Sequence, residues 1–167
     1  GWDGMKFFID LGSGLGGASE AFIDDDEWTV IRIENNELLV GVAGTRILDL
    51  FDWVDWLPAV LADEMSNADT VVVWASPTCT DFSDAYASPK SIARRAGEDY
   101  KPCMKLFEAC LDIIEHIEPD FWIIENVRGA IEFFEPVIGP CRQHIFSFFL
   151  WGNFPHINID PYLQHSK

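Results

Sequence analysis

The chain has 167 residues, 49% of them hydrophobic, which suits one globular domain and excludes a disordered segment. Acidic residues outnumber basic ones 28 to 11, for a formal charge of −17. Such an excess repels itself and repels nucleic acid in dilute buffer, whereas molar salt shortens the Debye length to about 3 Å and screens it. The balance points to a salt-rich cytoplasm, with a merely acidic domain as the alternative. No apolar run nears the ~20 residues of a membrane helix, and the opening residues, GWDGMKFF, lack a signal-peptide layout.

In chain order, residues 5–9 (MKFFI), 29–33 (TVIRI), 45–50 (TRILDL), 70–75 (TVVVWA) and 121–124 (FWII) read as short strands. Continuous apolar runs of this kind suit strands buried on both faces of a parallel sheet. Residues 18–23 predict a short helix, and residues 51–65 a Trp- and Leu-rich stretch, partly helical around Pro58. Residues 101–118 predict the clearest helix. Cys103, Leu106, Phe107, Cys110, Ile114 and Ile117 form its apolar stripe, and Lys105, Glu108, Asp112 and Glu115 take the opposite face. Pro102 suits its first turn and Pro119 stops it. Residues 143–151 and 154–159 predict an edge strand pair separated by Gly152-Asn153. The alternation gives an α/β fold, a mainly parallel sheet with an antiparallel edge strand pair at the C-terminal end.

Ligands of an open parallel sheet bind outside the carboxyl ends of its strands, so the residues after each strand carry the functional argument. After the first come Asp10, Gly12, Gly14, Gly16 and Gly17, a glycine turn that brings backbone close to a ligand. After the second comes Glu34, placed for ribose hydroxyls, and after the third Asp49, placed for an adenine amino group. After the fourth comes WASPTCTDFS with Cys79, and after the fifth Glu125-Asn126-Val127. Together these describe a nucleoside pocket beside a thiol and a carboxyl. Gly12, Gly14 and Gly17 also satisfy G-x-G-x-x-G, the dinucleotide fingerprint, which leaves a nicotinamide oxidoreductase as a last alternative. Four cysteines with no CxxC pair and no His-x3–5-His partner predict no metal site and a reduced, cytoplasmic protein. Lys90, Arg94, Arg95, Lys101 and Lys105, five of the eleven basic residues, fall within 16 positions after the thiol stretch. Such a cluster suits contact with a polyanion.

DLGSGLGGASEAF, WASPTCTDFS and FWIIENVRGA, in that order, resemble the first, fourth and sixth motifs of the DNA cytosine-5 methyltransferases, and RQHIFSFFLWGNFP more loosely resembles the eighth. The resemblance implies a Rossmann-like class I methyltransferase fold, S-adenosyl-L-methionine as cofactor, and DNA as partner. It also implies roles. Cys79 adds to carbon 6 of a flipped-out cytosine and activates carbon 5. Glu125 holds the amino edge and ring nitrogen 3, and Arg142 binds the carbonyl oxygen or steadies Cys79. Ser83, Lys90, Arg94 and Arg95 would meet the DNA as the loop closes. RNA cytosine-5 methylation and a non-catalytic cofactor- or DNA-binding subunit are the alternatives.

The chain departs from the family pattern at three positions. Thr78 stands where the family has Pro before the nucleophile, and His144 where it has a second arginine. Gly12 replaces an aromatic ring that stacks on adenine, implying either weaker cofactor binding or a ring from elsewhere, such as Trp53. The reading is of residues 1–167 as a single catalytic domain without an evident target-recognition domain or the last motifs. This leaves a minimal natural form, a fragment, or a chain completed by a partner, and the apolar aromatic segment 146–154 suits a homodimer.

Overall fold

The computed structural model describes residues 4–14, 16–65 and 67–158. Seven strands, β1 (Met5–Leu11), β2 (Trp28–Glu34), β3 (Thr45–Ile47), β4 (Ala68–Ala75), β5 (Phe121–Asn126), β6 (Gln143–Ile145) and β7 (Phe148–Asn153), form one sheet in the order β3-β2-β1-β4-β5-β7-β6. The pairs β2–β3, β1–β2, β1–β4 and β4–β5 are parallel, and β7 runs antiparallel to both neighbours. The chain moves outward from β1 to β3 and then returns to β4 on the other side of β1. The crevice between β1 and β4 is therefore the topological switch point, where α/β sheets bind ligands.

Three helices cover one face: α2 (Trp53–Val60), α4 (Lys105–Ile117) and α5 (Ile131–Ile138). Leu57, Phe107, Cys110, Ile113 and Phe134 pack there against Phe7, Ile9, Leu11, Val73 and Trp151. Burial pushes the Cys110 thiol up to about 12, so it stays a neutral apolar group. Among the described residues the other face carries only the four-residue helix α1 (Glu20–Ile23), whose Phe22 stacks on Phe8 with ring centroids 4.9 Å apart. An apolar groove of about 520 Å³ remains there, lined by Phe8, Trp28, Val72, Trp74, Ile123 and Phe154. Phe8, Val72 and Ile123 on this face are nonetheless buried, as expected of strands covered on both faces.

Other boundaries shift for local reasons. Helix α4 begins at Lys105, after Pro102, so Cys103 is exposed ahead of the helix instead of sharing a face with Cys110. It ends where Glu118 turns left-handed at φ 52° and donates its N–H to Ile114, just before Pro119. Around Pro58, α2 runs on from a 3-10 turn, Leu50–Asp52, into a π-type turn, Leu61–Met65. A helix α3 (Pro89–Arg95), N-capped by Ser88, was not expected, nor was α5. The edge hairpin turns at Phe146-Ser147, with Phe146 at φ 53°, and not at Gly152-Asn153. Gly152 lies inside β7, where a Cβ would sit 2.1 Å from the Trp122 carbonyl oxygen of β5. Residues 159–167, including the end of the expected last strand, lie outside the described residues.

Candidate functional site

Two recesses open at the switch point and share Gly12 and Ser76 as a common wall. The first, about 350 Å³, is lined by Asp10, Ser13, Gly17, Trp74, Glu125 and Leu150. The second, about 160 Å³, is lined by Ile33, Glu34, Asp49, Leu50, Phe51 and Leu106. Gly12 makes the junction: its φ is +70°, and a Cβ there would come within 2.9 Å of the Ser76 carbonyl oxygen. No side chain fits, so the missing ring at position 12 follows from the backbone.

The glycine turn is held from beneath by Arg32, which sequence reasoning missed. Arg32 is buried, yet every arm is satisfied. Its Nε donates to Ser19 Oγ at 2.8 Å, Nη1 to the Ala43 carbonyl and Nη2 to the Gly16 carbonyl, each at 2.9 Å. Nη2 also pairs with Glu20 at 2.9 Å. A charged residue inside the apolar strand TVIRI was the available signal. Ser19 Oγ in turn donates to the buried Asp10 carboxylate at 2.7 Å. Burial raises the Asp10 carboxyl to about 6, against the lowering effects of Ser19 and Arg32.

Glu34 accepts from the Gly14 N–H at 2.8 Å and from the N–H groups of Asn35 and Asn36. Gly14 and Gly16 therefore serve the turn and line neither recess. Asp49 accepts the Phe51 N–H at 2.9 Å through one oxygen, and its carboxylate still borders the second recess. The ring at that recess is Phe51, 55% exposed. Trp53, the sequence candidate, instead packs on His116 with centroids 5.4 Å apart. Phe51 was legible only as the residue two after Asp49.

Glu125 closes the first recess. Burial pushes its carboxyl up, partly offset by a hydrogen bond from Ser76, whose hydroxyl also accepts from Trp74 Nε1 at 2.9 Å. Cys79 is exposed on the loop after β4, and its carbonyl accepts the N–H groups of Phe82 and Ser83 at 3.0 Å. Buried Asn126 fixes this loop, donating to the Pro77 carbonyl at 2.9 Å. That bond restrains the turn at Thr78. Cys79 lines neither recess.

The remaining predicted residues divide. Lys90 is 1% exposed, a correction to its placement against nucleic acid. Its Nζ lies 2.7 Å from Asp84 and 3.4 Å from Glu132, and donates to the Gly129 carbonyl at 3.0 Å. Arg94 is half-exposed and pairs with Glu132 and Asp84. Arg95 donates to the Tyr86 carbonyl and lies 3.8 Å over the Tyr86 ring. The Ser83 hydroxyl accepts the Ala85 N–H at 3.1 Å, within its own loop. Arg142 lies just before the edge strand β6. Glu125 pairs across β7 with Leu150, which faces Gln143. Arg142 thus sits one row below Glu125, with its guanidinium over the Phe154 ring, centroid distance 5.4 Å. Of the aromatic segment proposed for a dimer, Phe149, Leu150, Trp151 and Phe154 are buried within the chain.

Sheet order, switch point and the paired recesses define a methyltransferase-type α/β fold. In agreement, a solved structure from E. coli, described as that of a DNA modification methyltransferase encoded within a prophage, superposes with a TM-score of 0.52 at 17% identity. The match covers 78% of this chain and 34% of that one, so the chain spans about a third of that protein's length. A search of curated proteins finds no match. The family model for C-5 cytosine-specific DNA methylases matches residues 6–136, and the chain belongs to that family.

Proposed function

We propose that this chain methylates carbon 5 of cytosine in DNA, with S-adenosylmethionine across the two recesses, Cys79 as nucleophile and Glu125 as the group that holds the base. The observation that carries the reading is the junction at Gly12 and Ser76. There a recess bordered by two carboxylates meets one walled by a carboxyl of raised pKa, beneath the thiol loop.

The residues fit the cofactor. Ser13 Oγ is buried on the wall of the first recess with no hydrogen-bond partner, as a group awaiting a polar ligand would be. Asp49 and Glu34 offer acceptors beside the apolar surfaces of Ile33, Leu50, Phe51 and Leu106, which suits an adenosine. When bound, S-adenosylmethionine supplies a methyl group on a sulfonium, an electrophile that unactivated cytosine does not attack. Cys79 provides the activation. Its thiolate adds to carbon 6, the carbon 5–carbon 6 electron pair becomes enamine-like, and Glu125 gives a proton to nitrogen 3. After transfer the carbon 5 proton passes to solvent water, its electron pair forms the carbon 5–carbon 6 double bond as the sulfur–carbon 6 bond breaks and returns the Cys79 thiolate, and nitrogen 3 returns its proton to Glu125. The raised Glu125 pKa suits a carboxyl that must start protonated.

A second reading is a cofactor- or DNA-binding subunit without turnover. It is favoured by Arg142 lying over Phe154, and by Cys79 lining neither recess. Labelled S-adenosylmethionine offered with DNA and RNA oligonucleotides carrying 5-fluorocytosine separates the two. A covalent adduct with DNA, lost in Cys79→Ser, is the expected result. Cofactor binding with no adduct selects the non-catalytic reading, and an adduct with RNA alone reassigns the substrate.

A further inference from the structure

In a chain of charge −17 the placement of each cation is informative. Lys6, Arg32, Lys90 and Arg94 are all held by carboxylates. Arg128 is not. Among the described residues no carboxylate lies within ion-pair distance of it or of His144. Instead the two flank one ring. His144 stacks on Phe149 with centroids 4.3 Å apart and planes 12° from parallel, and the Arg128 guanidinium lies 5.6 Å from the same centroid.

These residues line a recess of about 370 Å³ together with Asp84, Ser147 and Phe146. Its electrostatics follow from the neighbouring network. The positive charges of Lys90 and Arg94 close on the negative charges of Asp84 and Glu132, so that cluster sums to zero. The Asp84 charge is thus already matched, and Arg128 leaves the recess net positive in a strongly acidic molecule. No side-chain hydrogen bond or ion pair among the described residues engages the Arg128 guanidinium, whose N–H groups can therefore donate to an anion. The His144 Nε2 is engaged with the Phe146 carbonyl at 2.5 Å, and a carbonyl only accepts, so that nitrogen carries the proton. The Ser147 hydroxyl completes the polar lining.

Arg128 follows Glu125 by three residues at the carboxyl edge of the sheet, at most about 10 Å away along the chain. One nucleotide can therefore present its base to Glu125 and its phosphate to this recess. We infer that the recess built by Arg128, His144 and Ser147 around Phe149 binds a phosphodiester of the DNA strand whose cytosine reaches Glu125. This rests on the proposed function and deepens it: Arg128 takes the place that sequence reasoning assigned to Lys90.

The test measures affinity of the whole chain for a fluorescent DNA duplex across potassium chloride concentrations. Each phosphate contact contributes about 0.9 to the slope of log K against log salt. Arg128→Gln should reduce the slope by about that amount and leave calorimetric affinity for S-adenosylhomocysteine unchanged. Lys6→Gln removes the same net charge at the far end of β1, and should leave the slope alone. Equal slopes for the wild type and Arg128→Gln overturn this inference and leave the proposed function standing, as does an equal drop in both variants. A wild-type chain that binds no duplex overturns both.

Discussion

Asp10 shows how one residue can both build the turn and strain it electrostatically. Its carboxyl sits under the glycine turn, bonded to Ser19, with burial raising it from 3.8 to about 6. The native state therefore holds this proton more tightly than the unfolded chain does. Stability from this group is fully present below the unfolded value and falls as pH rises from about 4 to about 6, by on the order of 3 kcal/mol. Asp10→Asn keeps an acceptor for Ser19 and cannot titrate. The melting temperature of the variant minus that of the wild type should climb between pH 4 and pH 6 and level off above. A flat difference would show that Asp10 is not buried as described. Phe51 gives the other residue-scale expectation. If it is the ring that meets adenine, Phe51→Ala should weaken S-adenosylhomocysteine binding about fivefold to tenfold by calorimetry. Trp53→Ala, which removes a ring packed on His116, should not. The reverse ranking would return the role to Trp53.

At the scale of elements, the segment after Cys79 is a pinned structure. Helix α3 delivers Lys90 into a buried site where it ties Asp84 of the loop to the Gly129 carbonyl and to Glu132 at the start of α5. Ser88 Oγ adds a bond of 2.6 Å to the Ser83 carbonyl. Lys90→Met preserves the apolar stem but leaves the Gly129 carbonyl without its donor and, among the described residues, Asp84 and Glu132 with Arg94 as their one remaining partner. A loss of about 1–3 kcal/mol is expected from urea unfolding. The salt slope of duplex binding should stay at the wild-type value, because Lys90 has no surface to offer a phosphate. A changed slope at unaltered stability would restore the original placement of Lys90 against nucleic acid. Asn126 performs the matching task for the thiol loop, and its hold on Pro77 explains how the turn tolerates Thr78.

For the whole molecule, the formal charge of −17 predicts strong self-repulsion in dilute buffer. The melting temperature should rise from 0.05 to 1 M potassium chloride, scanned at one pH, as the Debye length falls toward about 3 Å. Equal melting at both salts would mean that the surface spaces its carboxylates widely enough to need no screening. Under the proposed function the same salt response bears on DNA: phosphate contacts weaken steeply with salt, so a phosphate held at Arg128 would contribute less in molar salt than base contacts at Glu125. The uneven cover of the sheet, among the described residues three helices on one face and a single short helix on the other, leaves the apolar groove around Phe8, Val72 and Trp74 partly open.

The amino-acid order by itself determined the central parallel strands, the glycine turn, and a thiol and a carboxyl at successive strand ends. This is because a parallel sheet delivers the carboxyl ends of its strands to one edge whatever the details of packing. Continuous apolar runs located β1, β2, β4 and β5, and the Asp10, Glu34 and Asp49 positions fell where that logic put them. Only the tertiary structure decided which side chains remain available at that edge. Lys90 and Gly129 are 39 residues apart in sequence, and their contact removes a cation that looked free. The hairpin turn at Phe146, the rotation of Arg142 onto Phe154, and the exchange of Trp53 for Phe51 likewise depend on neighbours brought together by folding. Local pattern specifies where an element starts and which way it runs. Availability of a charge or a ring is a property of the packed whole, set by long-range contacts that no single segment encodes.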